Sequence, residues 1–389
     1  MSDSQLEPPD KSPDQAPAEH EPAAHEEVPT GQPTPEQVAA SGLPAAPAEQ
    51  PLDAAPPVAQ PTLARPTLAQ RRALREGVLV GALYALSVFA VFLKLNLLPT
   101  MAFLVLVPAA LGAVPMLISD DDQVPLYVVF LMRPLFAVIA FLLGAVLIFK
   151  EGAVCVIVLA LPFLAFAVAG AIGLWVWQAH KLSEAKRKKA ALLLAILPFL
   201  LAPIEQAYFL RTEELTETSA VTVAAPPGAI WSRLAQVETI QPGEYRPGFF
   251  ALLGVPRPIR ATIDRAALGG HRVGEFEQGL RFDEVIIAWE REREMTFSIA
   301  VDPRSLREGS AERHAFETGY FYFRDASYRL EPDATGYTRL TLSSRYVIRS
   351  GMNAYGRLWS TALIRDFQER VLEILKARIE RDQERLTMR

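Results

Sequence analysis

The 389-residue chain has a formal charge of −5, and half of its residues are hydrophobic. Its charge is unevenly spread: residues 1–70 hold 11 acidic and 2 basic side chains, whereas residues 211–389 hold equal numbers of each. No basic face of the kind that binds nucleic acid stands out, and a single cysteine, Cys155, excludes an intramolecular disulfide.

Residues 1–70 contain 15 of the 31 prolines and no Phe, Trp or Tyr. Such a stretch cannot bury enough apolar surface to offset the entropy of ordering it, so it is expected to be a disordered tail. It lacks the basic start and apolar run of a signal peptide, so the first apolar span is expected to direct membrane entry.

Residues 71–210 are expected to form a transmembrane region of about five helices, at 77–93, 101–118, 127–149, 153–177 and 190–209. Arg71, Arg72 and Arg75 precede the first span, Pro99 marks a turn, and Asp120, Asp121 and Asp122 end the second. Lys150, Glu151 and Gly152 separate the third from the fourth, and a basic loop of Lys181, Lys186, Arg187, Lys188 and Lys189 precedes the fifth. The first two spans are short and would also suit a re-entrant hairpin; five crossings are the preferred count. Placing most basic flanks inside puts the N-terminus in the cytoplasm. An odd number of crossings then puts residues 211–389 outside it.

Two ionisable residues, Arg133 and Glu205, fall within spans, where a charge suggests function by default. They sit at opposite depths, so a direct pair is not expected. Gly77 and Gly81 match a helix-packing spacing. Cys155, among Val, Ile, Leu and Ala, reads as a small apolar filler.

After Arg211 the pattern changes, and residues 211–389 read as an α+β domain whose first strand starts at Glu217. A strand to Ala224 meets Pro226, Pro227 and Gly228, and a short helix carries Ile230, Trp231 and Leu234. Alternating segments at 260–267, 272–277, 281–290, 294–301, 320–330 and 338–348 read as strands, with a polar loop over 302–318. A long helix from about Asn353 to Arg385 has Leu358, Leu363, Phe367, Val371, Leu375 and Ile379 near helical spacing. An antiparallel sheet curved around such a helix leaves room for a cavity.

The opening Ala225, Pro226 and Pro227 followed by Trp231 resembles the START-like superfamily, which includes polyketide cyclases and lipid-transfer proteins. The stretches Gly279 to Glu284, with Trp289 and Glu290 after it, and Arg339 to Arg345 fit the same pattern. The resemblance covers roughly residues 215–385, and the whole layout is similar to bacterial membrane proteins carrying such a domain. It implies a helix-grip fold with a ligand cavity and no particular chemistry, because fold does not fix function; the short link after Phe209 is expected to keep the domain at the bilayer surface.

Candidate ligand-binding residues are Phe276, Phe282, Glu284, Trp289, Phe297, Tyr328, Arg345, Tyr346, Trp359 and Phe367. The aromatic residues suit an apolar lining, while Glu284 and Arg345 suit a polar head group, or in Glu284 a general base. Alternation along 281–290 puts Phe282, Glu284, Ile286 and Ala288 on one face and Val285, Ile287 and Trp289 on the other, without deciding which is inside. His271 and His314 are isolated, and no Zn-site spacing or nucleotide loop occurs, so neither metal nor cofactor is expected. A lipid or other hydrophobic ligand held by a membrane-tethered module is the first expectation. A cyclase or hydrolase using a cavity carboxylate is the second, and a protein-docking domain the third.

Overall fold

A computed structural model describes residues 68–118, 124–177, 181–306, 308 and 311–388. The expected disordered tail, up to residue 67, and Asp120 to Asp122 lie outside the described residues. All elements below belong to one compact unit that begins at Arg65.

Among the described residues, five helices come first: α1 (Leu68–Lys94), α2 (Val107–Ile118), α3 (Arg133–Phe149), α4 (Ala153–Val176) and α5 (Glu184–Tyr208). Wider helical turns at Ala102–Leu106 and Val128–Met132 lead into α2 and α3. Among the described residues, four helical stretches, Gln70–Lys94, Val128–Phe149, Ala153–Val176 and Glu184–Tyr208, are long and apolar enough to cross a membrane, and Ala102–Ile118 is a shorter apolar helix. The α5 helix starts six residues before the expected 190, so Lys186, Arg187, Lys188 and Lys189 lie on helix rather than in a loop. Lys and Arg are good helix formers, and Lys188 pairs with Glu184 one turn away at 2.6 Å.

Small residues let these helices meet closely. A Cβ on Gly112 of α2 would lie 1.9 Å from the Ala167 carbonyl oxygen, and one on Gly170 of α4 would lie 2.2 Å from that of Ala109. The two backbones therefore touch, as small side chains permit when helices pack in an apolar medium. Phe89, Phe92, Phe103, Phe141 and Phe163 fill the centre.

The charges in these spans have structural surroundings. The Glu205 carboxylate accepts hydrogen bonds from the backbone N–H groups of Met101 and Ala102, at the start of the α2 segment. At its other end, Arg187 donates to the carbonyl oxygens of Met116 and Leu117, each at 3.2 Å. An anion at the N-terminus and a cation at the C-terminus both oppose the helix dipole. α5 thus clamps α2 along its length, with the otherwise unbonded helix-end groups satisfied. Arg133 is buried against Gly77, where only a glycine leaves space for its side chain.

The C-terminal part comprises β1 (Arg211–Val223), α6 (Pro227–Leu234), the single turn α7 (Phe249–Leu252), β2 (Pro258–Ile263), β3 (His271–Phe276), β4 (Arg281–Glu290), β5 (Glu294–Val301), α8 (Ala311–Glu317), β6 (Phe321–Pro332), β7 (Thr338–Ser350) and α9 (Asn353–Thr387). The strands form one antiparallel sheet in the order β1-β7-β6-β5-β4-β3-β2. α9 lies across it and seals the core with Ile364, Leu372, Leu375 and Ile379. This is a helix-grip fold.

Five of the expected α9 positions, Leu363, Phe367, Val371, Leu375 and Ile379, face the sheet, but the face departs from the apolar spacing at two places. Leu358 is exposed, whereas Gln368 is fully buried. Its amide donates to the Glu217 carbonyl and the Ser344 hydroxyl and accepts from the Ser219 hydroxyl. Those bonds balance the cost of burying an amide and pin α9 to β1 and β7.

The domain is built onto the helices rather than hung from them. Only Phe209 and Leu210 separate α5 from β1. Gly351 N–H donates to Pro99 O at 2.9 Å, and Gln206 links Asn96 O to the Tyr320 hydroxyl. Met352 and Tyr355, at the start of α9, pack on the aromatic centre of the helices. The Tyr355 hydroxyl donates to the Val158 carbonyl at 2.5 Å. Val158 needs that donor because Pro162, four residues on, has no N–H to give it.

Candidate functional site

Between the concave face of the sheet and α9 lies a cavity of about 170 Å³. β1 starts beside α5, so antiparallel pairing puts the end of β3, the start of β4 and the start of β6 at the helical-region end of the sheet. Phe276, Phe282 and Phe323 sit there, facing Leu363 and Phe367 of α9, and line that half of the cavity. Phe276 lies 4.5 Å from Phe282 and 5.9 Å from Phe367, ring centre to ring centre. Leu342, Phe297 and Tyr328 line the far half.

The cavity's polar feature is a buried ion pair. Arg272 of β3 contacts Glu284 of β4, its register partner, and both side chains are almost wholly buried. The Arg272 Nε–H also donates to Ala235 O at 3.1 Å, and its guanidinium lies 5.1 Å from the centre of the Phe297 ring. Burial alone would lower the Arg272 pKa, but the Glu284 carboxylate holds it above its ordinary value. Burial likewise raises the Glu284 carboxyl against the pull of Arg272, and the Tyr328 hydroxyl is pushed up to about 12 by the same desolvation. A carboxylate tied to a guanidinium is a poor free base; the pair is better suited to orienting a polar group at the end of an apolar ligand.

Six of the expected residues line this cavity: Phe276, Phe282, Glu284, Phe297, Tyr328 and Phe367. Four do not. Arg345 lies on the outer face of β7 and pairs with Asp325 there, because its neighbour Ser344 takes the inward position. Tyr346 points inward but fills a separate cluster with Ile348 and Ile364, its hydroxyl 3.1 Å from that of Thr361. Trp359 packs beside Phe250 and Tyr355. Trp289 packs edge-on to Trp231 at 4.8 Å.

Strict alternation fails at Trp289. Phe282, Glu284 and Ile286 face inward, but a bulge between Ile286 and Ala288 adds a residue, which turns Trp289 inward as well. Sequence reasoning missed Arg272, although the signal was present. Arg272, Gly274 and Phe276 recur at period two and are all buried. Ser344, Phe323 and Leu363 were missed too.

The wall made by residues 237–258 supplies Val237, Ile240, Val255, Pro256 and Pro258. It is held to α9 by ion pairs, as Glu244 accepts from Arg378 at 2.6 Å and from Arg381 at 2.7 Å. Arg378 also donates to the carbonyls of Glu238 and Thr239. The Arg378 hydrogen bond, aided by the Gln241 N–H and Arg381, brings the Glu244 carboxyl down to about 2. Among the described residues, no three His, Cys, Asp or Glu side chains are grouped to hold a metal ion.

No protein-family model matches the chain, and no curated protein does. Solved structures align with its C-terminal part. One is an uncharacterised protein from Rhizobium leguminosarum, 14% identical, covering 44% of this chain and 98% of that one, with a TM-score of 0.28. Truncated norcoclaurine synthase from Thalictrum flavum is 14% identical, with 43% and 96% covered and a TM-score of 0.28. A Staphylococcus aureus protein of unknown function is 8% identical, with 45% and 98% covered and a TM-score of 0.30. The helix-grip fold of residues 211–388 stands on strand order, register and the terminal helix.

Proposed function

We propose that this chain is an integral membrane protein whose helix-grip domain holds the tail of a lipid, or another small hydrophobic molecule, at the membrane surface. The observation that carries the reading is the aromatic cavity with one buried ion pair set into its apolar wall. At about 170 Å³ it lies below the roughly 300–1,000 Å³ usual for ligand sites, so a single tail or a compact apolar molecule suits it better than an intact two-chain lipid. The Arg272–Glu284 pair would orient a polar end group. The tethering of Glu284 weighs against the cyclase or hydrolase reading, and an open cavity weighs against a purely protein-docking domain.

The proposed topology has five crossings. Arg71, Arg72, Arg75 and the 186–189 cluster lie at the starts of α1 and α5, away from the α5 end that joins the domain. Positive flanks favour the cytoplasm, so the domain would sit outside it, as at the outer face of a bacterial plasma membrane. Phe249, Leu252 and Leu358 are exposed, and Phe250 contacts Trp359, which places this apolar patch toward the start of α9, where the domain meets the helices.

The test is to purify the full chain in mild detergent and identify retained molecules by native and lipid mass spectrometry. Ile299→Trp and Leu363→Trp, which grow into the void, serve as the comparison. A defined apolar molecule kept by the unaltered chain and lost from both variants is expected. Identical bulk lipid on all three would overturn the reading.

A further inference from the structure

A second apolar recess lies outside the domain cavity, under the start of α9. Its walls are Phe89 of α1, Phe103 before α2, and Cys155 and Leu159 of α4; Met352 and Tyr355 roof it. Its volume is about 280 Å³. The roof is sunk into the helices: Tyr355 reaches Val158, five residues beyond Ala153, or ~7.5 Å along α4 at the helical rise.

The recess offers little to water. A buried water needs two to four polar partners. The Tyr355 hydroxyl is engaged by Val158 O, and the Ser350 hydroxyl by Asn353 and the Met352 N–H. Apolar walls at this depth, beside a span long enough to cross a membrane, leave hydrocarbon as the fitting occupant. We propose that this groove binds one acyl chain of a bilayer lipid, entering sideways, as a site distinct from the domain cavity. α9 joins the two: its first turn roofs the groove, while Leu363 and Phe367 line the cavity. Eight residues separate Tyr355 from Leu363, ~12 Å of helix, so a chain in the groove lies within one short helical segment of the cavity mouth. The inference rests on the membrane-embedding part of the proposed function and not on the cavity's ligand.

The experiment uses the full chain in phosphatidylcholine bilayers doped with a phosphatidylcholine bearing a diazirine on one acyl chain, with adducts mapped by mass spectrometry after irradiation. Adducts at residues 155–159 and 352–356 are expected to be about fivefold denser than at Leu147 and Leu193, which are more exposed; that ratio corresponds to about 1 kcal/mol of preference. Cys155→Trp and Leu159→Trp should each bring groove adducts down to that background while leaving any at Leu363–Phe367 unchanged. Equal labelling of groove and background positions in the unaltered chain overturns the proposal, whether or not the variants fold. In the unaltered chain, groove adducts without any at Leu363–Phe367 would count against a lipid in the cavity and support the groove as a separate site.

Discussion

Removing one partner of the Arg272–Glu284 pair strands a charge beside Phe297 and Tyr328. Breaking a buried ion pair in this way costs about 3–5 kcal/mol, whereas replacing both partners with apolar groups of similar size is often close to neutral. Arg272→Met alone should therefore lower unfolding stability by about that amount, and Arg272→Met with Glu284→Leu should recover most of it, read by chemical or thermal unfolding of the full chain in detergent. A single-variant loss that persists in the double variant would show that packing, not charge, makes the pair matter. Tyr355 permits a sharper test. Tyr355→Phe leaves the Val158 carbonyl without its donor, an expected cost of about 1–3 kcal/mol. Pro162→Ala restores a backbone N–H to that carbonyl, so Tyr355→Phe should cost clearly less in the Pro162→Ala background. Equal costs in the two backgrounds would refute the account.

At the level of elements, the 237–258 wall depends on Glu244 and its two arginines. The Glu244 pKa lies below its ordinary value of 4.5, at about 2. A depressed carboxyl contributes stability that is present in full above the ordinary value and lost as pH falls toward the lowered one. The latch should therefore hold at neutral pH and release between about pH 4.5 and pH 2. Hydrogen exchange of residues 238–246, corrected for its intrinsic pH dependence, should show protection falling across that window. Glu244→Gln should show low protection already at neutral pH and little further change on acidification. The α2–α5 clamp predicts that Glu205→Ala weakens the helical region by about 3 kcal/mol or more, at ~1.5–3 kcal/mol for each of two lost hydrogen bonds to a carboxylate. A proton or ion pathway would instead demand a transport defect without that loss, and thermal unfolding of Glu205→Ala separates the two.

For the molecule as a whole, the domain and the helices share one structural interface. Met352 and Tyr355 cover the aromatic centre, and Gly351 is held by Pro99. A chain ending at residue 210 would expose that apolar surface and the Val158 carbonyl. Its helices should still form, because their backbone bonds are internal. Its apparent melting midpoint should fall by roughly 5 °C or more, given the ~2–4 °C that each kcal/mol is worth in a chain of this size. An unchanged midpoint would mean that the domain merely rests on the helices.

Much of this organisation was legible in the residues. Continuous apolar runs can be satisfied only as buried or lipid-facing helices, and period-two alternation bounded by Gly and Pro marks strands, so the helical region, the strand segments and the terminal helix could be read from local pattern. β4 and β5 were found at their observed limits, Arg281–Glu290 and Glu294–Val301. Four of the six candidate residues in the cavity, Phe276, Phe282, Phe297 and Tyr328, are aromatic side chains on inward strand positions, which either fill a core or line a hollow. What the sequence could not decide depended on groups distant in the chain. The bulge after Ile286 turned Trp289 inward, and the inward Ser344 left Arg345 outside. The polar partners Arg272 and Gln368 are visible as buried only once the neighbouring strand or helix is in place. The same holds for Glu205 and Tyr355, whose partners lie 103 and 197 residues away. Local pattern fixes which segments are helix or strand, because backbone hydrogen bonding and side-chain periodicity act over a few residues; which charge is paired, and which apolar face is left open as a cavity or groove, is set by packing between segments and was decided only by the tertiary structure.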